Sequence, residues 1–320
     1  MNITVIGCGR WGSFIAYYLD RIGNKVTIGA APDDEAARNF DKERFNGTIT
    51  MPDRVPFVFD LKESVKDADI VVFSVPSQAL RSILTGIGTE AMAGKGIILC
   101  MKGLEISTGK RLSEVVADVL PHNRCAVWVG PGHPQEFAEG KPNCMVIDSA
   151  DADYRKMLVD SFTSDLIRFY YGEDLIGNEV GAATKNVIGI AAGLLDGLGI
   201  PSLKGALMAR GTREIARLIE AMGGNGMSAY GLCHLGDYEA TVFSKFSHNR
   251  RYGEMRAKGE KFDKLAEGAY TVEALMVLSE KLGVELPICT AVHKILHRDE
   301  DAKKTLDGLF SRDITTEFHK

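Results

Sequence analysis

The chain has 320 residues, 45% hydrophobic and 25% charged, a composition typical of globular proteins and a length that predicts about two domains. The formal net charge is -5 and no long run of Lys and Arg occurs, which argues against a nucleic-acid partner. No stretch reaches the roughly 18 apolar residues of a membrane helix, and the amino terminus lacks a secretory pattern, so we expect a cytoplasmic protein with no membrane insertion. The six cysteines form no CxxC pair, so we expect reduced thiols.

Short apolar runs typical of β-strands alternate with amphipathic segments in the first half of the chain. They cover residues 3–6, 26–28, 70–75, 97–101, 126–129 and 145–147. This alternation predicts a mostly parallel, doubly wound sheet. Beyond about Tyr171 the strand-like runs stop, and helical patterns follow over residues 175–198, 206–222, 271–282 and 290–297. We therefore predict an α/β fold followed by an all-α carboxyl-terminal domain.

A glycine-rich turn, Gly7-Cys8-Gly9-Arg10-Trp11-Gly12, has the spacing GxGxxG. It directly follows the first predicted strand and precedes an amphipathic stretch over residues 14–19, which is the context of a dinucleotide-binding turn. Gly7 allows the tight turn, Gly9 the approach of a pyrophosphate, and Gly12 close packing of helix on strand. A glycine turn without a ligand is the alternative. The motif predicts a Rossmann-type dinucleotide-binding domain over residues 1–172 and leaves residues 173–320 as a helical substrate and catalytic domain.

The second predicted strand ends at Gly29-Ala30-Ala31. An acidic residue at such a tip holds a ribose 2′-hydroxyl, and an arginine accepts a 2′-phosphate. Neither stands at the tip, although Asp33 and Asp34 follow soon after and Arg38 is further on. Both NAD and NADP therefore stay open as the cofactor, with a slight preference for NAD.

Two lysines are candidates for proton transfer to a carbonyl group, a step that ketone reduction needs beside the hydride from the cofactor. Lys185 precedes a charge-free apolar stretch over residues 186–195, so burial is expected to lower its pKa. The alternative is a lysine that extends to the surface from a core helix. Lys102 follows a predicted strand, at the sheet edge where ligands of α/β folds bind. Its alternative is a solvated loop lysine.

Later segments add further polar groups. Asp237 supplies a carboxylate and Thr241 a hydroxyl, and residues 247–251 form a compact set of donors suited to a phosphate group. Taken alone, each is more often an ordinary loop. His293 and His297 lie one helical turn apart, but no third ligand is apparent, so no metal site is predicted.

Motifs along nearly the whole chain resemble the NAD(P)-dependent sn-glycerol-3-phosphate dehydrogenase family. They are GCGRWG at residues 7–12, VPSQALR at 75–81, KGLE at 102–105, GNEVGAATKNVIGIAAGLLDGLG at 177–199, GLCHLGD at 231–237, HNRRYG at 248–253 and EGAYT at 267–271. The resemblance implies a 6-phosphogluconate-dehydrogenase-like carboxyl-terminal domain and a homodimer.

The resemblance also implies roles for single residues. Lys185 would be the proton donor and acceptor, Lys102 would lie near the substrate oxygen, and Asp237 would orient the catalytic lysine. The implied substrate-binding residues are Lys102, Gly130, Gly132, Lys185, Asn186, Asp237, Thr241, Ser247, His248, Asn249 and Arg250. The implied cofactor-binding residues are Gly7, Gly9, Arg10, Trp11, Gly12, Lys102, Pro134, His248, Leu265 and Glu267.

The sequence departs from the family pattern in three segments. Gly132 and Pro134 stand where its loop usually has a serine-like residue and an alanine, and Ala30-Ala31 lacks its frequent basic residue. His248 replaces an arginine that binds the substrate phosphate and the cofactor; imidazole is a weaker and pH-dependent anion ligand. Arg250 or Arg251 are the candidates to compensate.

The leading prediction is an oxidoreductase that reduces dihydroxyacetone phosphate to sn-glycerol 3-phosphate with NAD(P)H, for glycerophospholipid synthesis. One alternative is a related dehydrogenase acting on another small phosphorylated or carboxylated carbonyl compound, which His248 and Gly132 permit. The other is a non-catalytic NAD(P)-binding regulator.

Overall fold

The computed structural model describes residues 1–314 and 316–317. The chain divides into two compact units, one formed by residues 1–101 and 112–173, the other by residues 102–111 and the chain from residue 174 onward. The segment of residues 102–111 therefore leaves the first unit and folds with the second.

The first unit contains an eight-stranded sheet. The strands are β1 (Asn2–Ile6), β2 (Lys25–Gly29), β3 (Phe57–Val58), β4 (Ile70–Phe73), β5 (Gly96–Leu99), β6 (Cys125–Val129), β7 (Asn143–Ser149) and β8 (Ile167–Tyr171). Their order is β3-β2-β1-β4-β5-β6-β7-β8, and the pairing is parallel except between β6 and β7. The mostly parallel, doubly wound sheet is confirmed.

The helices of this unit are α1 (Arg10–Arg21), α2 (Glu35–Glu43), α3 (Leu61–Ser64), α4 (Leu80–Ile87), α5 (Thr89–Met92), α6 (Leu112–Val119), α7 (Pro134–Ala138) and α8 (Ala152–Phe162). Every residue of β4 and β5 is buried, as expected for central parallel strands, and this explains why both were visible as continuous apolar runs. Strands β3 and β8 were not predicted. β3 has only two residues, and in β8 the buried Ile167 and Phe169 alternate with the exposed Arg168 and Tyr170.

The second unit is all-α, as predicted. Its helices are α9 (Leu175–Gly197), α10 (Lys204–Ala221), α11 (His248–Ala257), α12 (Glu267–Leu282), α13 (Pro287–His297) and α14 (Ala302–Phe310). Short 3-10 turns lie at Pro201–Leu203, Gly226–Tyr230 and Leu235–Asp237, and a π-helical turn spans Glu239–Phe243. Within the described residues, no helix has both the length and the apolar character that a bilayer crossing requires.

Helix α9 is the centre of this unit. Its residues 179–195 are all buried, and α10, α11, α12 and α13 pack against it. Glycines allow α11 to approach closely: a Cβ on Gly193 would lie 1.9 Å from the carbonyl oxygen of Arg250, and one on Gly253 would lie 2.0 Å from that of Ile190. Helix α11 was not predicted because its own sequence is polar; the glycine contact with α9 fixes its position.

Candidate active site

The predicted phosphate-binding turn joins β1 to α1. Gly7 has a positive φ of 95°, and a Cβ there would lie 2.4 Å from the carbonyl oxygen of Ser74. A Cβ on Gly12 would lie 2.0 Å from the carbonyl oxygen of Gly7. Gly9 differs, because a Cβ there would meet no atom within 4 Å. Gly7 and Gly12 are thus required by the turn itself, while the open space at Gly9, beside the amino terminus of α1, fits an incoming pyrophosphate.

A second glycine loop follows β6 in the same unit. Gly130 and Gly132 have positive φ values of 131° and 139°, and a Cβ on Gly132 would lie 2.4 Å from the ring of Phe137. Pro134 is the first residue of α7. The ring of Trp11 meets that of Phe137 edge to face at 6.3 Å between centroids. Trp11 and the loop that contains Gly130, Gly132 and Pro134 therefore both contact the ring of Phe137.

The tip of β2 contains the groups that bear on cofactor choice. The carboxylate of Asp34 accepts a hydrogen bond from the backbone of Ala37 and caps α2. The guanidinium of Arg38 donates to the carbonyl oxygen of Pro32 at 2.6 Å and lies over the ring of Phe59. The Asp34 carboxylate is thus occupied as a helix cap, and the Arg38 guanidinium is bound to the backbone of Pro32 just beyond β2. The choice between NAD and NADP stays open.

In the second unit, one carboxylate joins the two predicted catalytic lysines. Oδ2 of Asp237 lies 2.6 Å from Nζ of Lys185 and 2.6 Å from Nζ of Lys102. Asp237 is completely buried, and the Lys185 side chain is 8% exposed. Lys185 thus does not extend to the surface from its helix, and Lys102 is not a solvated loop residue. The structure brings all three predicted catalytic residues together.

The surroundings of Lys185 set its acidity. Burial is the largest effect and lowers its pKa, Asp237 opposes this, and the nearby charge of Lys102 lowers it further, to about 8. An amine with this pKa is present in both protonation states near neutral pH. It is therefore suited to donate a proton in one direction of a reaction and to accept it in the other.

Two more predicted residues complete this cluster. The hydroxyl of Thr241 accepts from Nζ of Lys185 at 2.7 Å and donates to the backbone oxygen of Asp237 at 2.9 Å. The side-chain amide of Asn186 donates to the backbone oxygen of Lys102 at 3.1 Å. Oδ1 of Asp237 is buried and has no hydrogen-bond partner among the described residues. The cluster thus contains an acceptor atom that its own residues leave unused.

A buried ion pair holds the segment that contains Lys102. Nη1 of Arg111 lies 2.5 Å from Oε2 of Glu179 on α9, and both side chains are largely buried. Sequence reasoning missed this pair. The available signal was Glu179, an acid at the start of an apolar helix, where an unpaired charge would be costly.

Arg10 is the first residue of α1. The remaining predicted residues of the helical unit lie at or near the starts of α11 and α12. The Ser247 hydroxyl caps α11 by accepting from the backbone of Arg250, and Nδ1 of His248 lies 3.2 Å from the carbonyl oxygen of Leu265. Oδ1 of Asn249 accepts from the backbone nitrogen of Gly268 at 2.9 Å.

This second group lies against the lysine cluster. A Cβ on Gly268, which Asn249 binds, would lie 2.7 Å from the carbonyl oxygen of Asn186. Glu267 is the first residue of α12 and directly precedes Gly268. Asn249 and Gly268 therefore connect the residues at the starts of α11 and α12 to Asn186 in the lysine cluster.

The Arg250 guanidinium pairs with two carboxylates. Its Nη1 lies 2.5 Å from Oδ2 of Asp196 and 3.1 Å from Oε2 of Glu254, and its Nε donates to the carbonyl oxygen of Ser244. Lys204 shares the same Asp196 oxygen at 2.7 Å. The guanidinium is thus paired with carboxylates within the helical unit.

Comparisons with known proteins show which family the chain resembles. The profile of the NAD-dependent glycerol-3-phosphate dehydrogenase N-terminus matches residues 2–155, and that of the C-terminus matches residues 174–307. The glycerol-3-phosphate dehydrogenase (NAD(P)+) of Prosthecochloris aestuarii is 35% identical, with 98% of each chain covered. That of Rhodospirillum rubrum is also 35% identical, with 99% of this chain and 94% of the relative covered. A crystal structure of glycerol-3-phosphate dehydrogenase from Coxiella burnetii superimposes with a TM-score of 0.89 at 29% identity, covering 97% of this chain and 99% of that one. The chain belongs to the NAD-dependent glycerol-3-phosphate dehydrogenase family.

Proposed function

We propose that the protein reduces dihydroxyacetone phosphate to sn-glycerol 3-phosphate with NAD(P)H. The observation that carries this proposal is Lys185, a buried amine with a pKa of about 8 that lies 2.6 Å from a buried carboxylate. Maintaining such an amine inside an apolar helix has a cost in stability, which a role in proton transfer explains. Membership of the family indicates which ketone receives the proton.

In the proposed mechanism, each member of the cluster has a separate task. Lys185 in its ammonium form donates a proton to the carbonyl oxygen, and the neutral amine removes it in the reverse direction. Lys102 places a second positive charge where negative charge develops on that oxygen. Asp237 keeps both amines in place, and Thr241 orients Lys185 by accepting one of its hydrogens. A bound nicotinamide dinucleotide supplies or accepts the hydride.

The proposed cofactor-binding and substrate-binding residues are assigned to the two units as follows. In this proposal residues 1–172, except the segment 102–111 that folds with the helical unit, form the dinucleotide-binding domain. Gly7, Gly9, Arg10, Trp11 and Gly12 bind the cofactor there. Residues 173–320, together with residues 102–111, form the substrate and catalytic domain. The remaining proposed ligands of substrate or cofactor are Lys102, Gly130, Gly132, Pro134, Asn186, Ser247, His248, Asn249, Arg250, Leu265 and Glu267. We further propose a homodimer in the cytoplasm that feeds glycerophospholipid synthesis.

One alternative substrate class has support from the phosphate-binding residues. His248 is an imidazole, and the guanidinium of Arg250 already pairs with Asp196 and Glu254. A carboxylated ketone needs fewer positive groups for binding than a phosphorylated one, and is therefore compatible with this arrangement. A non-catalytic NAD(P)-binding role has no comparable support, because it leaves the buried Lys185 unexplained.

The test is the consumption of NADH and, separately, NADPH by the purified protein with dihydroxyacetone phosphate. We expect turnover with at least one nucleotide, a loss of about 10²-fold or more in Lys185→Ala, and near-normal turnover in Lys95→Ala. Lys95 is a suitable control because its amine donates hydrogen bonds to the backbone oxygens of Lys66 and Ala68, in the other unit. Full turnover in Lys185→Ala would contradict the mechanism. Turnover with carboxylated ketones alone would identify the alternative substrate class.

A further inference from the structure

A fully buried histidine lies three residues before Asp237. Nδ1 of His234 lies 2.8 Å from the carbonyl oxygen of Gly181 on α9, and Nε2 lies 2.7 Å from the hydroxyl of Tyr238. A carbonyl oxygen only accepts, so Nδ1 carries the hydrogen, and Nε2 accepts from the tyrosine. Burial lowers the pKa of His234 to about 4, which keeps this ring neutral at physiological pH. The ring therefore has one fixed tautomer.

These bonds connect three segments of the helical unit. Gly181 and Thr184 belong to α9, and the Thr184 hydroxyl lies 3.3 Å from Nδ1 of His234. Thr212 of α10 donates to the hydroxyl of Tyr238 at 3.3 Å. The segment from His234 to Tyr238 is thus tied to α9 on one side and to α10 on the other. None of these side chains belongs to the proposed proton-transfer cluster.

Asp237 lies inside the segment that the two side chains hold. Its backbone nitrogen donates to the carbonyl oxygen of His234 at 3.0 Å, and its backbone oxygen accepts from Thr241. A Cβ on Gly181 would lie 3.2 Å from Cβ of His234, so the segment lies directly against α9. The position of the Asp237 carboxylate therefore depends on how His234 and Tyr238 are anchored.

We propose that His234 and Tyr238 are positioning residues that hold the Asp237 carboxylate on the amines of Lys185 and Lys102. The catalytic consequence rests on the proposed function, but the positional effect does not. The charged groups that act on Lys185 are Asp237, which raises its pKa, and Lys102, which lowers it. If the anchor is removed and Asp237 moves away, the ammonium form of Lys185 loses its stabilising partner and its pKa falls.

The first test removes one hydroxyl group. Tyr238→Phe keeps the buried ring and deletes the hydrogen bond to His234. Tyr154→Phe is the matched control, since Tyr154 is also completely buried and its hydroxyl bonds to a carbonyl oxygen in the sheet unit. The pKa of Lys185 is measured by NMR titration of protein labelled with ¹³C at lysine Cε, with the signal assigned from Lys185→Met.

We expect the pKa of Lys185 to fall by about half a unit or more in Tyr238→Phe and to stay unchanged in Tyr154→Phe. Turnover with dihydroxyacetone phosphate is expected to fall by about 3- to 10-fold in kcat, with little change in KM. An unchanged Lys185 pKa in a folded Tyr238→Phe overturns the proposal, whatever its stability. If the wild-type protein does not reduce dihydroxyacetone phosphate, the proposed function fails, and the titration still decides this inference.

A pair of histidine variants gives a second readout that does not depend on Tyr238→Phe. The amide of His234→Asn keeps a donor for the carbonyl oxygen of Gly181, whereas His234→Leu has a similar size and no donor. The Lys185 pKa should therefore lie closer to the wild-type value in His234→Asn than in His234→Leu. Equal pKa values in the two variants would contradict the anchoring role.

Discussion

Replacing Asp237 with asparagine tests the proposed site most directly, because this carboxylate is the shared partner of two buried amines. Asp237→Asn keeps the size of the side chain and removes its charge. At 2.6 Å and an effective dielectric constant of about 20, the attraction to each amine is about 6 kcal/mol before desolvation is subtracted. Removing one member of a buried ion pair costs about 3–5 kcal/mol of folding free energy. The variant leaves the amines of Lys185 and Lys102 without their shared counter-charge, which disfavours protonation of both at once.

The effect on catalysis follows from the pKa of Lys185. That pKa is about 8 with Asp237 in place, and loss of the carboxylate lowers it. If it falls by about two units, the ammonium fraction near pH 7.5 drops from about three quarters to about 3%, so ketone reduction slows about 25-fold at that pH. The rate should recover partly in more acidic buffer, because the amine is then protonated again.

The assay is the pH dependence of NAD(P)H consumption, with urea unfolding of the same samples. Asp148→Asn is the control, since Asp148 is also buried and pairs with Arg155 in the sheet unit. We expect both variants to lose stability and only Asp237→Asn to lose turnover on the alkaline side. The same pH profile in wild type and Asp237→Asn would refute the assignment of Lys185 as the proton donor.

Three other predictions follow from the geometry. Lys185 must be protonated for reduction and neutral for oxidation, so reduction should slow and alcohol oxidation should accelerate as the pH rises through about 8; parallel profiles would contradict this. Arg111→Met and Glu179→Gln should each cost about 3–5 kcal/mol in urea unfolding, and the double variant should cost less than the sum of the two; additivity would show that the pair is not coupled. Gly9→Ala should fold normally and raise KM for the nucleotide, whereas Gly12→Ala should destabilise the protein because its Cβ meets a backbone carbonyl. Unchanged nucleotide affinity in Gly9→Ala would argue against a phosphate at this turn.

The sequence was informative wherever a pattern was local. The glycine turn, the central strands and the buried helix around Lys185 could be predicted because each depends on residues close together in the chain. The partner of Lys102 could not be obtained in this way, since Asp237 lies 135 positions further on. Without the family resemblance, nothing local to either residue indicates that a single carboxylate binds both lysines.

Helix α11 and the Arg111–Glu179 pair show a second limit. The polar sequence of α11 predicts a loop with phosphate donors, and only the contact of Gly253 with α9 reveals a packed helix. The ion pair likewise depends on residues 102–111 folding with the helical unit. Such features arise from tertiary packing, which overrides local propensity.

The charge of the lysine cluster explains why a buried amine is useful for this chemistry. With both amines protonated, Lys102, Lys185 and Asp237 together have one positive charge in excess, in surroundings that solvate it poorly. A neutral carbonyl oxygen does not compensate this charge, whereas the oxygen that develops negative charge during hydride transfer does. The cluster is therefore stabilised more by the transition state than by the ground state, which is the condition for accelerating the reaction. Burial is the largest cause of the lowered pKa of Lys185. The excess charge, in contrast, requires that two lysines share one carboxylate.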